Sequence, residues 1–289
     1  MCRLFGMLAT QPQSGEHWLV RSDRSLLAQS NATPETAQKD GWGIGWFDEN
    51  ARVRVERGVG GAFEDGERER FVRVATAAQG TLVLGHLRHA SNPLELTREQ
   101  LIGPFNSQPF ETHTNLFVHN GAIPFPNETR PFLGVHEKEV KGVNDSEVLF
   151  RLLLRHNEEM HDPFRAYVHA VEDLLRVWIG VGRPLEPPFS GLNVLFSPSP
   201  DELWAFCLST GDHGCGLLDT SRPYYEMCYH DEPRRIIVGS EPFDRTPGGF
   251  WKPLPSGRYL HARRLGDHVE VRTAPLPNFT LPTPSMVRA

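Results

Sequence analysis

The chain has 289 residues, 39% of them apolar and 23% charged, with a formal net charge of -6. That is the composition of an ordinary globular protein, long enough to bury a sizeable core without disulfides. It excludes a membrane-spanning helix, since no run of about eighteen apolar residues occurs, and the lack of any Lys or Arg block argues against a nucleic-acid or anionic-membrane footprint. Arg3 directly follows Cys2 and nothing there has the pattern of a signal-peptide apolar h-region, so no signal peptide is expected and a cytoplasmic setting is the default. In that setting the sequons at Asn31, Asn127 and Asn278 carry no weight, and Cys2, Cys207, Cys215 and Cys228 read as free thiols.

The apolar run Leu4 to Ala9 reads as a buried strand. Ser22 to Ser30 reads as a short helix capped by Ser22. "GWGIGWFDE" from Gly41 and "RVRVERG" from Arg52 form a hairpin pattern turning at Asp48-Glu49-Asn50. Gly66 to Ala77 is helical in pattern. "TLVLGHLRHA" from Thr81 and "TNLFVHNGAI" from Thr114 read as buried strands ending in polar residues. Asn144 to Glu159 is a helix with an apolar stripe, capped by Asn144 or Asp145, and Phe164 to Ile179 is a second amphipathic helix. Six β-patterned segments follow, "LNVLFS", "ELWAFCLS", "YYEMCYH", "RRIIVGS", "GRYLHARR" and "HVEVRT". Strands, two central helices, then strands point to an α+β fold with helices layered on antiparallel sheets. One domain over 2–273 is expected, with a Pro-rich C-terminal tail over 274–289.

Four stretches could carry chemistry. In "MCRLFG", loss of Met1 would leave Cys2 bearing a thiol and a free α-amine on one carbon. An α-amine with a pKa of about 7.7–8.0 is partly neutral near pH 7 and can take the thiol proton. The plainer reading is a buried, inert Cys. In "GHLRHAS", Arg88 ends a buried strand and has the planar fork that holds a carboxylate, or else a structural ion pair. In "FVHNGAI", Asn120-Gly121 fits a hairpin turn. It equally fits two donors, a side-chain amide and an exposed backbone N–H, converging on one oxyanion. In "VNDSEVLF", Asp145 fits a helix cap and also a partner for a ligand ammonium. Cys207, Cys215, Cys228 and His230 lack metal-site spacing, so no metal is expected. His86 reads as strand packing.

Taken together and in this order, these stretches resemble the class II glutamine amidotransferases, of the N-terminal-nucleophile (Ntn) hydrolase superfamily. The segments "DGWGIGWF", "NSQPF" (Asn106 to Phe110) and "GSEPFDRTPGGFWKPLP" from Gly239 resemble its stand-alone branch. That branch includes predicted amidotransferases and enzymes cleaving γ-glutamyl amides of glutathione or hercynylcysteine-type thiols. The likeness runs from Cys2 to about His261. It implies a four-layer αββα sandwich of two antiparallel sheets flanked by helices. It implies Cys2 as nucleophile with its α-amine as base, and Asn120 with the Gly121 N–H as oxyanion hole. Arg88 would bind the substrate α-carboxylate and Asp145 the α-ammonium, with no cofactor. His89 stands where relatives usually carry Trp or Tyr, and Asn92-Pro93 where a polar residue and Gly are common, so His89 is expected to alter the pocket wall.

The implied reaction cleaves a γ-glutamyl amide through a Cys2 thioester, giving glutamate plus ammonia or an amine. A hydrolase of γ-glutamyl peptides or thiols, like those of glutathione or ergothioneine pathways, is a close alternative. No synthase segment or GxxxxGK[ST] motif accompanies the pattern, so ammonia use would need a separate synthase or peptidase subunit as partner. A non-catalytic glutamine or glutamate sensor is the reading from another class.

Overall fold

The computed structural model describes residues 2–182, 187–245 and 250–279. Met1, part of the stretch following Gly239 and the end of the chain from 280 lie outside the described residues. In chain order the elements are β1 (Arg3–Ser14), α1 (Leu26–Gln29), β2 (Trp42–Phe47), β3 (Val53–Gly58), α2 (Glu67–Ala77), β4 (Gln79–Leu87), α3 (Arg98–Leu101), β5 (Phe110–Glu111) and β6 (Leu116–Asn120). They continue with α4 (Pro126–Thr129), α5 (Asp145–Met160), α6 (Pro163–Gly180), β7 (Asn193–Ser199), β8 (Glu202–Cys207), β9 (Met227–Glu232), β10 (Arg235–Gly239), β11 (Lys252–Leu254), β12 (Arg258–Leu265) and β13 (His268–Pro275).

Alternation along the strands builds the layers. Successive side chains of a strand point to opposite faces. On β1, Leu4 and Leu8 join one core while Phe5 and Met7 join another. The first core lies between the two sheets and takes Leu82 and Leu84 from β4, Leu116 and Val118 from β6, and Leu195 from β7. The second lies under α1 and α2, with Trp42, Ile44 and Phe71. A third joins Phe117, Val194 and Phe206 of the other sheet to the stripes of α5 and α6. Helices, sheet, sheet, helices: the four-layer αββα sandwich that the family resemblance implies is the observed architecture. One sheet runs β11-β9-β10-β1-β4-β2-β3 and the other β13-β12-β8-β7-β6-β5, with antiparallel pairing throughout.

Some local expectations shift. Ser22 does not cap a helix. Its N–H closes a π-helical turn over His17–Arg21 onto the His17 carbonyl, and Ser25 caps α1 by accepting from the Ala28 N–H at 3.2 Å. Two serines three residues apart offer the same cap chemistry, and the preceding turn takes the first. At the other end, where the sequence expects the tail to begin at Ala274, β13 runs through Pro275 and Leu276 is buried. The glycines of "GWGIGWF" face the other sheet for a steric reason. A Cβ on Gly43 would lie 2.1 Å from the Gln108 carbonyl oxygen, so this face of β2 admits the "NSQPF" segment against it.

Candidate active site

Three strand ends meet at one end of the sandwich. Arg3 pairs with Leu87, so Cys2 just before β1 and Arg88 just after β4 follow from the last paired position of the two strands. Asn120 ends β6 on the facing sheet, where it pairs with Asn193. By alternation Cys2, Arg88 and Asn120 share the inter-sheet face with Leu4 and Val118. All three are buried. The Cys2 sulfur lies 3.6 Å from the His89 carbonyl oxygen, and the Cys2 carbonyl accepts from the Tyr224 hydroxyl at 3.2 Å. Burial pushes the Cys2 thiol up from its usual range, with the His89 carbonyl and Arg88 pulling the other way.

Arg88 is held by backbone. Its N–H donates to the Gly41 carbonyl, and its Nη1 donates to the Asp40 carbonyl at 3.1 Å. The Asp40 carboxylate turns instead to the Ala90 N–H and to Arg98. The guanidinium thus keeps further donors, beside a narrow cavity lined by Arg88, Asn92, Leu96, Leu101 and Asp145. The His89 side chain is about half buried, with Nδ1 3.4 Å from the Ala37 carbonyl oxygen.

Asn120-Gly121 is no hairpin turn, for the chain leaves β6 toward α4. The Asn120 side chain is fully buried, and neither its Oδ1 nor its Nδ2 has a hydrogen-bond partner among the described residues. Such an amide costs roughly 1–3 kcal/mol unless something pairs with it. Gly121 is required by close approach, since a Cβ there would lie 1.7 Å from the Gly191 carbonyl oxygen.

The helix start divides its labour residue by residue. Asn144 is the cap, accepting from the Ser146 N–H at 2.9 Å, and its amide donates to the Asn106 carbonyl at 2.8 Å. Asp145, freed from capping, is buried and accepts from the Ile123 N–H at 2.8 Å. Burial raises its carboxyl to about 6, against the pull of that hydrogen bond and of Arg88. Glu147 accepts from the Lys141 and Gly142 N–H groups and pins the loop ahead of the helix.

Several residues around the site were invisible in the sequence. Arg3 is fully buried, 3.3 Å from Glu241 and stacked 3.9 Å over the Tyr224 ring. The Glu241 carboxylate also collects the N–H groups of Leu217, Leu218 and Asp219. Ser240 bonds Leu4 through both its hydroxyl and its N–H. "GSEPF" is therefore the lock on "CRLFG", across more than 230 positions. His86 is buried with both ring nitrogens unpartnered among the described residues, and burial lowers it to about 3. Cys207 and Cys228 are buried, with sulfurs against the Tyr225 and Gly239 carbonyls, while Cys215 is exposed. Among the described residues no group of three or more His, Cys, Asp or Glu is arranged to hold a metal ion, and no helix is long and apolar enough to cross a membrane.

The layers are those of an N-terminal-nucleophile type of sandwich, and known proteins agree. A solved glutamine aminotransferase class-II domain protein from Silicibacter pomeroyi superposes with a TM-score of 0.62 at 22% identity, covering 94% of this chain and 98% of that one. Glutamine phosphoribosylpyrophosphate amidotransferase from B. subtilis superposes with a TM-score of 0.58 at 14% identity, with 94% of this chain matching 49% of that one. The sequence profile described as "Glutamine amidotransferases class-II" matches residues 1–278. The chain belongs to the class II glutamine amidotransferase family. It is also similar to the gamma-glutamyl-hercynylcysteine sulfoxide hydrolase of Mycolicibacterium smegmatis, 26% identical over 267 residues, 91% of this chain and 96% of that protein.

Proposed function

We propose that this chain hydrolyses a γ-glutamyl amide with Cys2 as its N-terminal nucleophile. The observation that carries the reading is the buried, unpartnered Asn120 amide at the same end of the sandwich as Cys2. An amide donor left without a partner beside a thiol is what a developing oxyanion needs. Once Met1 is removed, the α-amine of Cys2 takes the thiol proton, a necessary step because burial keeps the thiol protonated. The sulfur adds to the γ-carbonyl carbon, and the oxyanion is held by Asn120 Nδ2 and the Gly121 N–H. Arg88 grips the α-carboxylate and Asp145 the α-ammonium. The C–N bond breaks as the Cys2 α-ammonium passes that proton to the leaving nitrogen. Water then attacks the thioester, releasing glutamate and restoring the thiol.

The similarity to a gamma-glutamyl-hercynylcysteine sulfoxide hydrolase supports a leaving group larger than ammonia. In this reading His89, beside the nucleophile, forms the wall that the leaving amine passes. The catalytic unit begins at Cys2 and takes in β13 and the buried Leu276. The reaction belongs in the cytoplasm, and a separate synthase or peptidase subunit is needed only where the released nitrogen is passed on.

The test is glutamate release from L-glutamine, γ-glutamylcysteine and glutathione by Met1-free protein and by Cys2→Ala. Wild type is expected to turn over at least one of them. Cys2→Ala is expected to lose more than about a thousandfold in kcat while still binding glutamate. Residual turnover within about tenfold of wild type would remove Cys2 as nucleophile.

A further inference from the structure

One buried group near the site has no part in the proposed chemistry, yet its ring bonds two of the site's supports. His119 lies on β6 just before Asn120, and alternation turns it away from the inter-sheet face toward the helices. Its side chain is fully buried. Nδ1 is 2.8 Å from the Ser146 hydroxyl and Nε2 is 3.1 Å from the Gly191 carbonyl oxygen. A carbonyl only accepts, so Nε2 carries the hydrogen and Nδ1 accepts from Ser146. The backbone on which the ring is mounted is itself fixed, because the Gln108 side-chain amide pairs with both the N–H and the carbonyl of His119.

The two bonds lead to different halves of the site. Gly191 is the carbonyl packed against the Gly121 Cα, so the Nε2 bond sets the seat of the oxyanion donors. Ser146 directly follows Asp145 in the first turn of α5, so the Nδ1 bond sets the height of that carboxylate. Burial lowers the ring to about 4, which keeps it neutral and in one tautomer across neutral pH.

We propose that His119 is a positioning residue that fixes the spacing between the oxyanion donors Asn120 and Gly121 and the ammonium-binding Asp145, with each ring nitrogen governing one of the two. The inference rests on the γ-glutamyl reading above. Substitution separates the nitrogens. The amide nitrogen of His119→Gln reaches the Nε2 position and keeps the Gly191 bond while losing Ser146. The amide oxygen of His119→Asn sits at the Nδ1 position and keeps Ser146 while losing Gly191. Ser146→Ala removes the Nδ1 partner alone.

Steady-state kinetics on the best γ-glutamyl amide reads the split. His119→Gln and Ser146→Ala are expected to raise KM about tenfold with kcat within about twofold of wild type. His119→Asn is expected to lower kcat about tenfold with KM nearly unchanged, as a small misplacement of donors does. Variants that lose kcat and raise KM in the same proportion, or that match wild type, overturn the inference. If the His119 variants do not fold, an unchanged KM in Ser146→Ala overturns it alone. A wild type inert toward every γ-glutamyl amide fails the functional reading and the inference together. An active wild type with unsplit variants fails the inference only.

Discussion

Asp145 is the residue whose environment makes the sharpest claim. Its carboxyl is buried and raised to about 6, so in the unliganded protein it is mostly ionised at pH 7 and mostly neutral below about pH 6. A neutral carboxyl cannot pair with an ammonium. Affinity for an α-amino acid ligand should therefore be full above pH 7 and fall as the pH drops through 6. Binding of L-glutamate to Cys2→Ala, measured by calorimetry from pH 5 to 8, is expected to weaken about tenfold per unit below pH 6, while Asp145→Asn binds weakly at every pH. A flat profile in Cys2→Ala would take Asp145 out of the binding site. For Asn120, removal of an oxyanion donor predicts a fall of about 10²–10³ in kcat for Asn120→Ala with KM little changed, read from the same glutamate-release assay. An Asn120→Ala kcat within a few-fold of wild type contradicts that role. At this scale the sequence offered Arg88 and Asn120 as polar residues ending apolar strands and Asp145 as a residue at a helix start, while the roles assigned to them and to Cys2 came from the family resemblance. What the sequence could not decide was which of Asn144 and Asp145 caps the helix. Capping by Asn144 is what leaves the Asp145 carboxylate for Ile123 and the cavity.

The element that positions this carboxylate is α5, and its start is held from outside as much as from within. Asn144 caps it and also pairs with the Asn106 carbonyl, while the Asn106 side chain accepts from the Val143 N–H at 2.8 Å. "NSQPF" and "VNDSE" are thus two halves of one junction. Loss of the cap costs about 1 kcal/mol. The orphaned Asn106 carbonyl adds a similar amount, so Asn144→Ala should cost about 2 kcal/mol in urea unfolding, and an unchanged midpoint would contradict the junction. The helices α5 and α6 were readable from their apolar stripes, and most of the longer strands from short apolar runs that the structure buries. The short elements β5, α3, α4 and β11 were not, for at two to four residues no period can express itself and long-range contacts decide.

At the scale of the whole molecule, the first strand and the segment after β10 are tied by buried charge. Arg3 and Glu241 are both almost fully buried, and breaking such a pair leaves an uncompensated ion. Glu241→Met should destabilise the protein by about 3–5 kcal/mol. Arg3→Met/Glu241→Met should recover part of that loss, the remainder reflecting the Leu217, Leu218 and Asp219 N–H groups that Glu241 also serves. Additive losses in the double-mutant cycle would show that the pair is not coupled. This lock was hidden in the sequence because nothing local announces a partner more than 230 residues away. The element pattern pointed only to helices layered on antiparallel sheets; the four-layer order came from the family resemblance, and the structure has it.

The account depends most on Cys2 acting as a processed, reactive N-terminus. The direct measurement is the intact mass of the purified chain before and after exposure to a glutamine-shaped electrophile such as a diazo-ketone analogue, with the adduct mapped by peptide sequencing. The predicted result is a chain lacking Met1 that gains one adduct, on Cys2, with labelling slowed by L-glutamate. A Met1-free chain that takes no label, or takes it on Cys215 and not on Cys2, would contradict the account.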